Sequence, residues 1–124
     1  MELTIDQALQ QGVAAHKEGK LQDAERLYRA ILQAQPKHPD ANHNLGVLAV
    51  AVGRPLEALT FFKQALDANL KVEQFWVSYI DALITVGRFD EASEVLATDH
   101  LLLLGLPWHP LLLGARRVDH TAEA

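Results

Sequence analysis

The chain has no cysteine among its 124 residues, which excludes disulfide bonds and thiol chemistry. Acidic residues outnumber basic ones, and the formal net charge of −5 argues against nucleic acid as a partner, because nucleic acids attract basic surfaces. The N-terminus lacks a basic region followed by an apolar run, so we predict no signal peptide and a cytoplasmic location. The apolar stretch at 101–114 is interrupted by prolines and too short to span a bilayer, so no membrane partner is expected.

Common catalytic and metal-binding motifs are also missing from the sequence. No G-x-S-x-G, P-loop or G-x-G-x-x-G pattern is present, so nucleophile-elbow and phosphate-binding chemistry have no support. No two of the six histidines have the i, i+4 spacing of a helical metal site. We therefore predict no catalytic residue, no metal site and no cofactor. His16 and His43 could approach each other across a groove, but we interpret them as solvated side chains.

The sequence does contain a seven-residue motif that recurs three times at a spacing of 34 residues: EGKLQDA (18–24), VGRPLEA (52–58) and VGRFDEA (86–92). Aligning the chain at this period places residues of similar type in columns. These columns are Gly12 and Gly46; Gly19, Gly53 and Gly87; Ala24, Ala58 and Ala92; and Tyr28, Phe62 and Leu96. Four such columns indicate an internal repeat.

Each repeat has a helical period of apolar residues, and turn residues divide it into two helices. Gly19 and Gly53 stand where a first helix must end, because glycine tolerates the left-handed conformation found there. Pro55 suits the first turn of the following helix, and Thr4 with Gln7 forms a capping-box pattern. We predict helices at 5–18, 21–34, 39–52, 55–68, 73–86 and 89–98.

The small residues indicate how the two helices of a hairpin pack. Antiparallel helices approach closely only where their side chains are small, so Gly12 is expected to face Ala24 and Gly46 to face Ala58. The aromatic column is then expected to fill the space toward the next repeat.

These columns resemble the tetratricopeptide repeat family over residues 5–98. The matching residues are Gly12, Gly19, Ala24, Tyr28 and Pro36; Leu45, Gly46, Gly53, Ala58, Phe62 and Ala65; and Trp76, Leu83, Gly87, Ala92 and Leu96. The resemblance implies an all-α, right-handed array of three helix-turn-helix hairpins, an α-solenoid, with repeats at 5–38, 39–72 and 73–98. Ile80 at a small-residue position, Leu70 in place of a closing proline, and Asp99 depart from the pattern, so the third repeat is expected to be irregular.

In this family the first helices of the hairpins form a concave groove that binds extended peptides or partner helices. The resemblance therefore implies a module for protein–protein interaction without catalysis. It also implies that the ligand groove is lined by Gln10, Val13, His16, Lys17, Asp40, His43, Asn44, Val47, Gln74, Ser78 and Asp81. Its remaining inner-face positions are Asp6, Leu9, Val50, Ala51, Val77, Ile84 and Thr85.

Two subclasses of the family were compared with these positions. Repeats that clamp the carboxylate of chaperone tails use a lysine and an asparagine on the first repeat and two basic residues on the third. This chain has Leu9, Val13, Gln74 and Ser78 at those positions, and only Asn44 of the middle repeat matches. A carboxylate requires charge-assisted donors, so this subclass is not expected. The polar column of Gln10, Asn44 and Ser78 partly resembles the asparagine ladder of O-GlcNAc transferases. The alternative interpretation of that column is a solvated helix face.

Three hypotheses remain open for the whole chain. It is a protein- or peptide-binding module, the N-terminal segment of a larger glycosyltransferase-type enzyme like those of bacteria, or a self-assembling scaffold. The apolar tail at 99–124 is expected to cap the third hairpin, to form a homodimer interface, or to be unrelated sequence. Within it, Leu101–Leu104 are expected to extend the last helix.

Overall fold

The computed structural model describes the backbone of residues 3–103 and the side chains of residues 3–97. Its helices are α1 (Ile5–Lys17), α2 (Leu21–Ala34), α3 (Pro39–Ala51), α4 (Pro55–Ala68), α5 (Glu73–Thr85) and α6 (Phe89–Leu103). The described residues contain no strand, which confirms the predicted all-α class. Every helix begins at its predicted residue, and α1 to α5 end within one residue of the predicted end. Helix α6 continues past the predicted 98 to Leu103.

The predictions for the tail lie largely outside the described residues. The extension of α6 agrees with the expected helical role of Leu101 to Leu103, whereas Leu104, the cap and the dimer interface lie beyond the described part. The division of the chain into repeats at 5–38, 39–72 and 73–98 stays a prediction. None of the helices within residues 3–103 is both long enough and apolar enough to cross a membrane.

The recurring motif forms the same turn in all three hairpins. Gly19, Gly53 and Gly87 have φ angles of 79°, 81° and 85°, which is the left-handed conformation predicted for them. The residue after each glycine donates its N–H back into the preceding helix: Lys20 to the Ala15 carbonyl at 2.8 Å, Arg54 to Ala49 at 2.7 Å, and Arg88 to Leu83 at 2.8 Å. These bonds satisfy carbonyls that the helix end would leave unpaired.

Side chains cap the starts of α1 and α3, and α3 and α4 begin with proline. Thr4 Oγ1 accepts the N–H of Gln7 at 3.1 Å, and Gln7 Oε1 accepts the N–H of Thr4 at 2.9 Å, so the predicted capping box is confirmed. Pro55 lies in the first turn of α4, also as predicted. At α3 the cap is His38, whose Nδ1 accepts the Ala41 N–H at 3.1 Å, a cap that the sequence analysis did not foresee.

The glycines inside the first helices contact aromatic rings of the second helices, a contact that was not predicted beside the expected pairing with Ala24 and Ala58. A Cβ atom built on Gly12 would lie 2.6 Å from Cε1 of Tyr28, and one built on Gly46 would overlap the ring of Phe62. The aromatic residues therefore fill the inside of their own hairpin. The rings also belong to core clusters that include residues of the following hairpin, as expected for the aromatic column.

The third hairpin lacks this contact. Leu96 stands in the column of Tyr28 and Phe62, but it is 56% exposed, whereas the two rings are 1% and 2% exposed. Ile80, which replaces the glycine, is half-buried and packs against the core. The predicted irregularity of this hairpin is therefore a difference in side-chain size: its first helix carries the larger Ile80 in place of glycine, and its second helix carries Leu96 in place of an aromatic ring.

Two clusters of buried side chains form the core. The first joins α1, α2 and α3, and the second runs from α3 through α6. Within the described residues, Cα atoms of α1 and α3, and of α3 and α5, approach within 8 Å, whereas no Cα atoms of α2 and α4, or of α4 and α6, come that close. The first helices of the hairpins therefore lie closer together than the second helices. This spacing places α1, α3 and α5 on the concave side of the array.

Candidate binding groove

The predicted groove residues lie on α1, α3 and α5 with different degrees of exposure. The exposed ones are Asp6, Gln10, Lys17, Asp40, Val50, Ala51, Gln74, Val77, Asp81, Ile84 and Thr85. The half-buried ones are Leu9, Val13, His16, Asn44, Val47 and Ser78. His43 alone of the predicted set is buried.

Three large apolar side chains are exposed on this concave side. Val50 and Val77 are each 40% exposed, and Ile84 is 47% exposed. Val13 and Val47, which are half-buried, lie on the same inner helices. The groove therefore presents apolar surface to a ligand in addition to its exposed polar side chains.

His43 belongs to the core, which corrects its interpretation as a solvated side chain. Its ring centroid lies 4.9 Å from that of Phe75 and 5.5 Å from that of Phe62. Its Nε2 lies 2.7 Å from Oγ of Ser78, so a hydrogen bond joins α3 to α5. Burial lowers the pKa of His43, while hydrogen bonding with Asn44 and the charge of Asp40 act in the opposite direction.

Two members of the polar column of Gln10, Asn44 and Ser78 form hydrogen bonds within the protein. The Ser78 hydroxyl lies 2.7 Å from Nε2 of His43 and 3.4 Å from Nε2 of Gln74. Burial raises the pKa of Tyr28, and a hydrogen bond with Asn44 acts to lower it. Asn44 and Ser78 are therefore tied to their own fold, which differs both from a free amide ladder and from a solvated face.

The hydrogen bond between His43 and Ser78 was not predicted from the sequence. The two residues are 35 positions apart, one more than the repeat length, so they belong to neighbouring columns of the alignment. Comparing each column only with itself conceals a contact of this kind. A search for polar pairs at the repeat length plus one would have found it.

A second missed feature links consecutive hairpins. Asn42 is completely buried, and its Nδ2 donates to the Pro36 carbonyl at 3.1 Å and to the His38 carbonyl at 3.0 Å. Trp76, 34 residues later, donates its Nε1–H to the Leu70 carbonyl at 2.7 Å. Both bonds span six residues and end at the position where the family pattern closes with proline. Leu70 can replace proline there because the bond uses only its carbonyl group.

The groove is acidic at several exposed positions. Asp6, Asp40 and Asp81 make no ion pair in the described part of the chain. Lys17 is the only lysine or arginine among the predicted groove residues. Residues 3–97 also contain no group of three or more histidine, aspartate or glutamate side chains that could hold a metal ion.

Comparison with protein families identifies the class of repeat. The model of the tetratricopeptide repeat family matches residues 15–76, which is half of the chain. The protein therefore belongs to the tetratricopeptide repeat family, as its aligned columns predict. A search of curated proteins gives no match.

Several solved structures share the fold. The translocator chaperone SycD of Yersinia enterocolitica aligns with a TM-score of 0.75 and 20% identity, over 99% of this chain and 92% of that one. The second tetratricopeptide domain of Spaghetti (RPAP3), bound to the HSP90 peptide SRMEEVD, aligns with a TM-score of 0.72 and 20% identity, over 79% of this chain and 91% of that one. A MamA structure from MSR-1 aligns with a TM-score of 0.68 and 25% identity, over 82% of this chain and 57% of that one.

Proposed function

We propose that the protein is an interaction module whose concave side binds an extended polypeptide segment carrying apolar and basic side chains. The observation that carries this proposal is the exposure of Val50, Val77 and Ile84 on the inner helices. A buried valine or isoleucine side chain is stabilised by about 1.5–3 kcal/mol relative to an exposed one, so a ligand that covers these three gains substantially. The comparison structures support a polypeptide ligand, because SycD and RPAP3 have each been solved with a peptide.

The charge of the groove favours a basic partner. Asp81 lies about one helical turn from Val77 and from Ile84 on α5, Asp40 lies in the first turn of α3, and neither forms an ion pair in the described structure. Complementary charges at the rim of an interface speed association and exclude wrong partners. Lysine or arginine side chains on the ligand would therefore be selected over aspartate or glutamate.

The same charges argue against acidic C-terminal peptides such as the one bound by RPAP3. Recognition of a terminal carboxylate needs charge-assisted donors. The corresponding positions of this chain include Leu9 and Val13, which are half-buried apolar residues, and Gln74, which is neutral. The similarity to repeats of glycosyltransferases and the scaffold hypothesis stay predictions.

Fluorescence anisotropy with labelled peptides tests the proposal. Two nine-residue peptides would alternate leucine with lysine in one case and leucine with glutamate in the other, and SRMEEVD would be the third probe. We expect the lysine peptide to bind at least about tenfold more tightly than the glutamate peptide at low salt, and SRMEEVD not to bind. Equal affinity for the lysine and glutamate peptides would contradict the assignment of a basic ligand.

Matched variants locate the binding. Ile84→Ser should weaken the lysine peptide about tenfold, because it removes one apolar contact of the groove. Leu56→Ser is the control, since Leu56 is 60% exposed but lies on α4, outside the groove. Asp81→Asn should weaken binding about threefold, whereas Asp90→Asn in the first turn of α6 should leave it unchanged. Equal effects of each variant and its control would place the ligand elsewhere.

A further inference from the structure

A narrow cleft lies on the other side of the array, where α2, α3 and α4 meet. Its volume is about 200 Å3. Leu45, Leu48 and Ala49 of α3 form its buried floor, and Leu21 and Phe61 contribute half-buried apolar walls. The concave groove includes none of these residues, so the cleft is a separate feature of the surface.

The charged residues at the mouth of the cleft neutralise one another. Arg29 Nε lies 2.8 Å from Glu25 Oε2, and Arg29 also lies 3.6 Å from Glu57. Arg54 approaches Glu57 at 3.9 Å, and the Arg29 guanidinium carbon lies 5.9 Å from the centre of the Phe61 ring. Two positive and two negative charges surround an apolar floor, so the cleft fits an uncharged apolar group better than an ion.

Because the chain repeats, the cleft can be compared with the equivalent position between the second and third hairpins. Thirty-four residues after Glu25 and Ala49 stand Leu59 and Leu83. Leu59 is 7% exposed and Leu83 is completely buried, and both belong to the second core cluster. At these two positions the first junction lacks the isobutyl groups that the second junction supplies, whereas it has the larger Leu48 and Phe61 where the second has Ala82 and Val95. A leucine side chain from outside would restore one of the missing isobutyl groups.

The surroundings of the cleft indicate a polypeptide rather than an isolated small molecule. A shallower depression continues along the exposed face of α2 from Gln22 to Gln33, and it shares Gln22, Glu25 and Arg29 with the cleft. Drug-sized ligands occupy pockets of about 300–1,000 Å3, whereas an apolar cavity of about 150 Å3 holds one benzene molecule. The cleft therefore matches a single side chain, and the depression beside it offers space for the chain that carries that side chain.

We infer that the cleft is a second binding site, which accepts one leucine-type side chain from a partner polypeptide lying along α2. Burial of that side chain against Leu45, Leu48 and Ala49 supplies the affinity. The paired charges at the mouth exclude a charged side chain, because its desolvation has no compensating partner there. The site is independent of the concave groove and does not rest on the function proposed for it.

Methyl-resolved NMR on the full chain tests the site, with N-acetyl-leucinamide as the probe and N-acetyl-alaninamide as the control probe. The methyl groups of Leu48 and Val52 should shift with saturation in the millimolar range for the leucine probe. A blocked peptide Ala-Ser-Leu-Ser-Ala should bind more tightly and also shift the Ala30 methyl group on α2. If both probes act alike, or if the shifts never saturate, the site is overturned. If the peptide gains nothing and leaves Ala30 unshifted, the polypeptide track is overturned.

Two variants and one matched control complete the test. Ala49→Leu fills the cleft as Leu83 does at the second junction, and it should weaken the leucine probe at least about tenfold. Val52→Arg places a charge at the mouth, at a side chain that is 49% exposed, and it should do the same without disturbing the core. Leu70→Arg, at a side chain that is 50% exposed and lies outside both the cleft and the concave groove, should leave probe binding unchanged.

Equal effects of Val52→Arg and Leu70→Arg would overturn the site even if Ala49→Leu failed to fold. Shifts of Leu48 that appear on raising the protein concentration without probe would identify a second copy as the occupant. Nuclear Overhauser contacts between Leu48 and residues 104–124 would identify the chain's own tail. Either result would overturn the assignment to a separate partner.

Discussion

Gly46 and Phe62 share one small space inside the second hairpin, and Gly12 and Tyr28 share the same space in the first. The ring lies where a Cβ atom would otherwise stand, so the size of one residue sets the permitted size of the other. In the third hairpin the larger residue is Ile80 on the first helix, and the aromatic residue is replaced by Leu96. Because Leu96 is 56% exposed, the buried aromatic ring has no counterpart at this position of the third hairpin.

We predict that Gly46→Ala lowers the free energy of unfolding by about 1–3 kcal/mol, because the new methyl group overlaps the Phe62 ring. This loss should outweigh the gain in helix propensity, which is about 1 kcal/mol. Adding Phe62→Leu to Gly46→Ala should recover part of the loss, since the smaller side chain makes room. Urea unfolding of both single variants and the double variant measures the coupling. Additive effects would show that the two positions do not compete for space.

His43 is the other residue whose surroundings decide its behaviour. Burial against Phe62 and Phe75 lowers its pKa in the folded chain, whereas in the unfolded chain the pKa is near the ordinary value of about 6.5. Between these two pKa values the unfolded chain binds more protons than the folded chain. The free energy of unfolding attributable to this residue therefore falls as the pH drops below about 6.5.

We predict that the wild-type chain loses stability between pH 7 and pH 5 more steeply than His43→Gln does, at about the unperturbed histidine pKa of 6.5. The variant keeps His16 and His38, so the difference between the two pH profiles reports His43 alone. Chemical unfolding at a series of pH values provides the measurement. The slopes are compared rather than the absolute stabilities, because the variant also alters the bond to Ser78. Parallel profiles would contradict the prediction.

At the scale of the elements, the junction between consecutive hairpins depends on one donor. Asn42 and Trp76 differ in size and chemistry, yet each donates a side-chain N–H to the carbonyl six residues earlier. This bond ties the start of α3 to the end of the first hairpin and the start of α5 to the end of the second. The Oδ1 atom of Asn42 is buried and accepts no hydrogen bond in the described structure. Only the amide N–H group of this side chain therefore contributes hydrogen bonds to the junction.

We predict that Asn42→Asp destabilises the chain by about 3 kcal/mol or more. It replaces a buried donor with a carboxylate that faces the carbonyl oxygens of Pro36 and His38. Gln10→Glu is the matched control, since Gln10 is exposed, and it should change stability by less than about 0.5 kcal/mol. Thermal and urea unfolding of both variants measure the difference. A similar effect of the two substitutions would show that the donor bond does not hold the junction.

At the scale of the whole molecule, the core is divided rather than single. The cluster built by α1, α2 and α3 is smaller than the one that runs from α3 to α6, and α3 contributes to both. In a repeat array each hairpin is stabilised chiefly by its neighbours, so the two parts can open separately. Helix α3 connects them and should be the last to open.

We predict that backbone amides of α1 and α2 exchange with solvent faster than those of α3 to α5 under native conditions. Tyr28→Ala, which removes a ring that is 1% exposed in the first cluster, should accelerate exchange in α1 and α2 much more than in α5. Hydrogen exchange followed by mass spectrometry resolves these segments. Equal acceleration across all helices would show that the array unfolds as one unit.

The groove shows how far sequence reasoning reaches in a repeat protein. The resemblance to tetratricopeptide repeats assigned Val50, Val77 and Ile84 to the inner side, and α1, α3 and α5 do form that side. It failed for His43, because a column of aligned residues carries no information on which member is covered by the next hairpin. The pairing of Gly12 with Tyr28 was missed for a similar reason, since two candidate partners lie one helical turn apart on the same face of α2.

The sequence by itself determined the helices and their turns. Each depends on local chemistry: a glycine with positive φ, a proline in the first turn, or the capping box of Thr4. Only the tertiary structure decided the burial of His43, its bond to Ser78 and the cleft above Ala49. Those features arise where consecutive hairpins pack together. Their distances depend on the summed shapes of side chains from three helices, which no local pattern encodes.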